Sequence, residues 1–363
     1  MKRLILFLFL ISFYSLKSQN FDSLLIVSVK LPHDTERVNL LYREGFEKRL
    51  SWPQYSYDCA KQAEHIGMRC NSPRHLAKAY NLFGVLFYRK GELKKALDYH
   101  IKALDLRQSI NDEAGIALSE TNLGNIYTDL RKYDLAEKSY MNALQLNNKL
   151  GNEKQTGNCY LNLGVLFMNL NKMEEAEKYF LNAYKIAKTI MDYELEAMCL
   201  NNLAVINIEN QEYESAISNC MDALKAKEIM GNEIEKTDSY INLAKAYYKI
   251  NDEKNGEYYL RKADSLCKAY DYLEAKCTML QLRAQIYETT HKFDLALIAY
   301  KEYNLIKDSI NAQNEALRQE YYFNEKLPEL KKRIEPFHIS YLMIFTLSLL
   351  TILITYIVFN NKR

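Results

Sequence analysis

Residues 122–144 read NLGNIYTDLRKYDLAEKSYMNAL, and forty positions later residues 162–184 read NLGVLFMNLNKMEEAEKYFLNAY. Both stretches open on Asn, Leu and Gly, and Ala136 and Ala176, then Ala143 and Ala183, fall at matching places. Apolar residues return at the three- and four-residue steps of an α-helix and are interrupted once, at Arg131 and Asn171. Each stretch therefore predicts two helices joined by a tight turn.

Worked outward, the period holds from about residue 77. One small residue recurs as Gly84, Gly124, Gly164, Ala204, Ala244 and Ala284, and another as Ala96, Ala136, Ala176, Ala216, Gly256 and Ala296. Larger residues follow each series, among them Phe87, Tyr127, Phe167, Tyr247 and Tyr287 after the first and His100, Tyr140, Phe180, Cys220, Leu260 and Tyr300 after the second. Paired antiparallel helices need small residues at closest approach and bulk around them. Turn positions keep the same step: Gly91, Arg131, Asn171, Gln211, Asn251 and His291 within units. Between units come Asn111, Gly151, Met191, Gly231, Asp271 and Asn311, where Gly and Asn suit a left-handed cap.

These features resemble tetratricopeptide repeats, whose usual period is 34. At forty residues the units are similar to the longer-helix variety of peptide-binding adaptors of the kinesin-light-chain and Pins/LGN kind. The resemblance implies an all-α superhelical solenoid of about seven helical pairs, with six units over residues 77–316 and a degenerate capping unit over 33–76. Arg283 stands where Leu123, Leu163, Leu203 and Leu243 stand in other units, as a polar outer face on the last unit requires.

Composition narrows the function. Forty-eight Lys and Arg against 46 Asp and Glu leave a net +2, without the basic excess of a nucleic-acid binder. The seven cysteines include no pair at the two-residue spacing of zinc or redox motifs and read as small apolar fillers. Cys159 and Cys199 share a register but are expected to stand too far apart for a disulfide. Tyr127, Tyr140, Tyr247, Tyr287 and Tyr300 fall at packing registers rather than in a cofactor box. The six histidines are scattered, and no zinc, nucleophile-elbow or phosphate-loop motif is present. No cofactor, metal site or catalytic set is predicted, and the expectation is a protein that is not an enzyme.

The ends suggest a membrane. Residues 1–19 carry Lys2 and Arg3, an apolar run over 4–13, and Ser15 and Ser18, the layout of a secretory signal; an uncleaved signal anchor is the alternative. Residues 339–359 contain no charge and reach roughly 30 Å as a helix, enough for one transmembrane span. Residues 317–338 form a helical connector with Pro328 and Pro336, and 360–363 a cytoplasmic tail. Export of the amino end then places the repeats on the extracytoplasmic, periplasmic side of the inner membrane. A homodimer through the connector is compatible with the sequence, although its apolar spacing is too irregular for a heptad.

In such arrays the first helix of each unit, A, lines the inner wall, as the resemblance implies. Two residues before the small landmark stand Asn122, Asn162, Asn202 and Asn242. An Asn inside a helix is unfavourable relative to Ala, so four in one register suggest a use for the amide, which has two donors and an acceptor. In similar repeats this register contacts the ligand backbone. The same amides serve equally as bonds between helices. Asn125, Val165, Val205 and Lys245 share the face, with Arg89, Asp129, Asn169, Glu209 and Lys249 one turn on, and Leu118, Asn158 and Met198 toward the amino end. The set lacks the dense cations that chaperone-cochaperone repeats use on a terminal carboxylate.

The expected function is a membrane-anchored scaffold binding a protein or peptide in the concave groove. The alternative is the sensory half of a split or truncated regulator, because the layout resembles Bacteroidetes membrane proteins in which a kinase or helix-turn-helix output follows the span.

Overall fold

The backbone takes left-handed values where the two turn series predict them. In a computed structural model, φ is positive at Gly91, Arg131, Asn171, Gln211, Asn251 and His291, and again at Asn111, Gly151, Met191 and Gly231. Ten reversals at a fixed step divide the chain into helical pairs. Residues 24–308 are described, apart from 50, 232, 271 and 272.

Helix α1 (residues 24–29) leads into seven pairs. Their A helices are α2 (Asp34–Glu47), α4 (Pro73–Arg89), α6 (Glu113–Asp129), α8 (Glu153–Asn169), α10 (Tyr193–Glu209), α12 (Lys236–Lys249) and α14 (Leu273–Thr289). The B helices are α3 (Pro53–Arg69), α5 (Leu93–Ser109), α7 (Tyr133–Leu150), α9 (Met173–Ile190), α11 (Tyr213–Met230), α13 (Glu253–Tyr270) and α15 (residues 293–308). No strand occurs among the described residues, and no helix there is long and apolar enough to cross a membrane. The chain divides into two units, Met1–Ala312 and Gln313–Arg363, and these helices all belong to the first. The predicted signal (1–19), connector (317–338), span (339–359) and tail (360–363) lie outside the described residues, as does the end of the last repeat.

Some helix starts, mostly those of A helices, carry a side-chain cap. Asp112 accepts from the Gly115 amide at 3.1 Å and Asp192 from the Leu195 amide at 3.1 Å. Within a pair, the landmark glycine is a contact surface. A β-carbon on Gly84 would stand 2.5 Å from His100 Nε2, on Gly124 2.5 Å from Tyr140 Cε1, and on Gly164 2.5 Å from Phe180 Cε1. The landmark becomes Ala204 and Ala244 where the facing residue shrinks to Cys220 and Leu260. Ala284 keeps its methyl opposite Tyr300, and that ring is only half-buried, its hydroxyl donating to Glu288 Oε2 at 3.0 Å.

Between pairs, one B-helix register packs on the next A helix. Arg107 Nη1 donates to Ser119 Oγ at 2.6 Å, Asn147 Nδ2 to Cys159 Sγ at 3.6 Å, and Lys227 Nζ to Ser239 Oγ at 3.0 Å. The joint at Ala187 and Cys199 is apolar and buried. Cys159 and Cys199 are both free, each in its own joint. Burial pushes the thiols of Cys59, Cys199 and Cys220 up to about 12, which keeps them protonated and inert.

Aromatic stacks join A to B in alternate units. Phe87 lies on Tyr99 (5.4 Å, 7°), Phe167 on Tyr179 (5.2 Å, 25°) and Tyr247 on Tyr259 (5.6 Å, 8°). The intervening units carry Ser139 and Asn219 at the B-helix place. There Asn219 Nδ2 donates to Asn207 Oδ1 at 2.8 Å instead.

Candidate functional site

Each A helix from α2 to α12 touches the A helix of the following unit, whereas no two of the B helices α3, α5, α7, α9, α11 and α13 touch each other. A row packed closely on one side and splayed on the other curves, with the closely packed row inside. The inner wall is thus the A-helix face, where the asparagine register lies.

The four amides do different things. Asn122 Nδ2 donates to Asn81 Oδ1 at 3.1 Å, and Asn81 Nδ2 donates to Tyr42 Oη at 2.9 Å. This ladder ties three successive A helices together. Asn202 Nδ2 turns back onto Met198 O of its own helix at 3.0 Å. Asn242 Nδ2 reaches Asn201 O at 3.5 Å, the outer limit of a hydrogen bond. Among the described residues Asn162 makes no side-chain hydrogen bond, and it is half-buried.

The neighbours also separate. Asn125 Oδ1 accepts from the Tyr140 hydroxyl at 2.8 Å, so it braces the B helix of its own unit. Asp129 Oδ2 accepts from the Tyr88 hydroxyl at 2.7 Å. Burial first, and that carboxylate second, push the Tyr88 phenol well above its ordinary range. Lys245 pairs with Glu209 at 2.8 Å. Asn169 and Lys249 are exposed and Asn158 is half-buried.

Three hollows follow the A helices. The first, about 410 Å³, is walled by Phe46, Arg49, Val85, Arg89, Leu118 and Asn122. A second, about 490 Å³, holds Met198, Asn202, Val205, Asn242, Lys227 and Asp238. The third, about 760 Å³, has Glu209, Lys245, Tyr248, Lys249, Leu282 and Ile286. Of the predicted site residues, Asn122, Asn202, Asn242, Lys245 and Lys249 line these hollows; Asn125, Asn158, Asn162, Asn169 and Asp129 do not.

Lys227 and Asp238 were not foreseen. Lys227 belongs to a B helix, yet at 3% exposure its ammonium reaches Ser239 and the Glu235 carbonyl in the next unit. Burial lowers its pKa, with Asp238 and Glu235 acting against the shift. Burial raises the Asp238 carboxyl, opposed by Lys227. The available signal was a Lys in a register that holds Asn147, Ala187 and Cys267 in other units, with Arg107 a second cation there. Among the described residues no group of three His, Cys, Asp or Glu side chains gathers to hold a metal ion.

Two segments match families described as Tetratricopeptide repeat, residues 76–113 and 113–189. Residues 156–312 match the Suppressor of spindle checkpoint defect 1 C-terminal domain. No curated protein sequence is significantly similar to the chain. Among solved structures, the apo form of RapI has a TM-score of 0.63 at 12% identity, covering 76% of this chain and 99% of that one. A Rap protein complexed with competence and sporulation factor has 0.59 at 16%, covering 82% and 81%. The Rap conjugation gene regulator of plasmid pLS20, in complex with the Phr* peptide, has 0.53 at 14%, covering 66% and 76%. At these identities the likeness is one of fold.

Proposed function

Because the chain is a tetratricopeptide-repeat protein, we propose that it is a scaffold holding an extended segment of a partner polypeptide in the groove along its A helices. The observation that carries this reading is that inner-wall amides stand beside apolar side chains without being consumed by the fold. Asn162 bonds to nothing among the described residues, Asn202 bonds only its own helix, and Val165 and Met198 beside them are exposed. A free amide matches the N–H and C=O of a peptide backbone, and the apolar neighbours match its side chains. The fold likeness to two Rap proteins solved with a peptide or factor bound supports the same reading.

Residues 339–359 motivate tethering this scaffold to a membrane, and residues 1–19 motivate an extracytoplasmic body. The proposal assigns the chain no reaction.

The test is a crosslinking pull-down with the full-length chain, comparing wild type with the Asn162→Ala, Asn202→Ala pair. Neither amide links two units, so thermal unfolding should move little while recovered partner falls roughly threefold to tenfold, the worth of one or two hydrogen bonds. Undiminished recovery of the same partners would sink the proposal.

A further inference from the structure

We infer that the first hollow of the groove is an anion subsite, in which Arg49 and Arg89 grip the side-chain carboxylate of an aspartate or glutamate in the guest segment. The inference rests on the peptide-holding reading above and specifies its ligand.

Both guanidinium groups wall the same hollow, and neither has a carboxylate partner among the described residues. Arg49 is fixed in place: its Nη1 donates to Phe46 O at 2.5 Å and its guanidinium lies 3.9 Å from the centre of the Phe46 ring. Arg89 comes from the last turn of α4, the A helix of the next unit. Partial desolvation by the wall of the hollow, and after it the charge of Arg49, hold the Arg89 guanidinium below its ordinary range. Two like charges sharing one hollow are relieved by a single anion between them, which a planar carboxylate meets through paired N–H donors.

Elsewhere on the inner wall Lys245 is neutralised by Glu209, and Lys227 spends its donors on Ser239 and the Glu235 carbonyl. Lys249, exposed and without an ion pair among the described residues, is a single cation rather than one of a pair. Phe46, Val85 and Leu118 supply the apolar part of the wall around the arginine pair, and Asn81, Tyr88 and Asn122 its neutral polar part. The amide nitrogen of Asn122 makes the ladder contact, and its Oδ1 accepts no hydrogen bond among the described residues. The hollow thus offers a charged grip, an apolar cradle and one backbone acceptor.

The experiment selects from a random peptide library with amidated carboxyl ends, so that side chains supply every carboxylate, using the full-length chain as bait. Asp and Glu should be enriched at one position. Changing that residue to Gln or Asn in a selected peptide should weaken binding roughly tenfold, and R49Q/R89Q should bind the acidic and amide peptides alike. Arg89 is exposed, so R89Q alone, with roughly a threefold loss of acid preference, keeps the test open if the double variant fails to fold. Retained peptides without an acidic bias, or a bias unchanged in R49Q/R89Q, overturn the subsite and leave the groove reading standing. Failure to retain any peptide overturns both.

Discussion

Phe180 rests its ring edge against the backbone of Gly164, so closely that a β-carbon there would lie 2.5 Å from Cε1. Phe180 is fully buried, and overpacking has no outlet. Gly164→Ala should therefore destabilise the array by about 1–3 kcal/mol. Phe180→Leu alone opens a void and is also destabilising. Together they copy the Ala244 and Leu260 arrangement two units on, so their costs should fall short of additivity by about 1 kcal/mol or more. A double-mutant cycle by urea unfolding measures this; strict additivity would mean the two positions do not share one space.

Met191 presents the opposite case, a residue whose side chain does nothing for the turn it occupies. Its φ is 54°, a left-handed value, and it is 73% exposed. Gly151 and Gly231 hold the same place in neighbouring units at φ 67°. Met191→Gly should raise stability by about 1 kcal/mol, since glycine adopts this conformation without a Cβ penalty. A lowered unfolding midpoint would show that the methionine makes a contact worth more than the strain.

His100 makes the first repeat acid-sensitive. Its ring is 1% exposed, and its Nδ1 has no hydrogen-bond partner. Burial, reinforced by the charge of Arg107, lowers its pKa from 6.5 to about 3. Between those values the unfolded chain binds a proton that the folded chain excludes. The contribution of His100 is therefore flat above pH 6.5 and costs up to about 1.4 kcal/mol for each unit below it. His100→Phe, the ring found in the Gly164 unit, should flatten that part of the stability profile. An identical acid slope in the variant would place the sensitivity elsewhere.

These sites show how far the sequence could be read. The fold follows from small residues and turns at a fixed step, because a repeat that packs only on its neighbours imposes the same constraint in each unit. That is why Arg131 and Gln211, neither a natural left-handed residue, were found as turns by register alone. Asn122 and Asn202 share one register, and register placed both on the inner wall. It does not separate them, because what each amide bonds depends on a neighbour peculiar to its unit: Asn81 for the first, the carbonyl of Met198 for the second. Asn125 was grouped with the groove for the same reason, and Tyr140 claims its oxygen. Arg49 escaped notice because it lies in the degenerate first unit, where the forty-residue frame is slack. The alternate aromatic stacks have a period of two units, which a search for one-unit similarity averages away.

Lys227 tests what a buried cation contributes to a joint. With 3% exposure it is held by Ser239 and the Glu235 carbonyl. Ser239→Ala removes one partner of a desolvated charge and should cost about 1–3 kcal/mol. Lys227→Ala with Ser239→Cys reproduces the apolar joint of Ala187 and Cys199 and should match the wild type within about 1 kcal/mol, or exceed it, since buried charge is retained at a desolvation cost. Greater loss in the double variant than in Ser239→Ala would make the ammonium a net stabiliser.

The ladder from Asn122 through Asn81 to Tyr42 predicts that equivalent asparagines respond differently to the same change. Asn81 is almost fully buried, and its Oδ1 accepts from Asn122 while its Nδ2 serves Tyr42. Asn122→Ala strands that buried oxygen and should destabilise the first three units by about 1–2 kcal/mol. Asn202→Ala removes only a bond within its own helix and replaces Asn by the best helix former, so the expected change lies within about 0.5 kcal/mol, on the stabilising side. Native-state hydrogen exchange resolves the two, because the loss in Asn122→Ala should appear as lower protection across α2, α4 and α6 and leave α10 unaffected. Equal losses for both variants would assign the whole register to structure and remove the amides from any role in holding a guest chain.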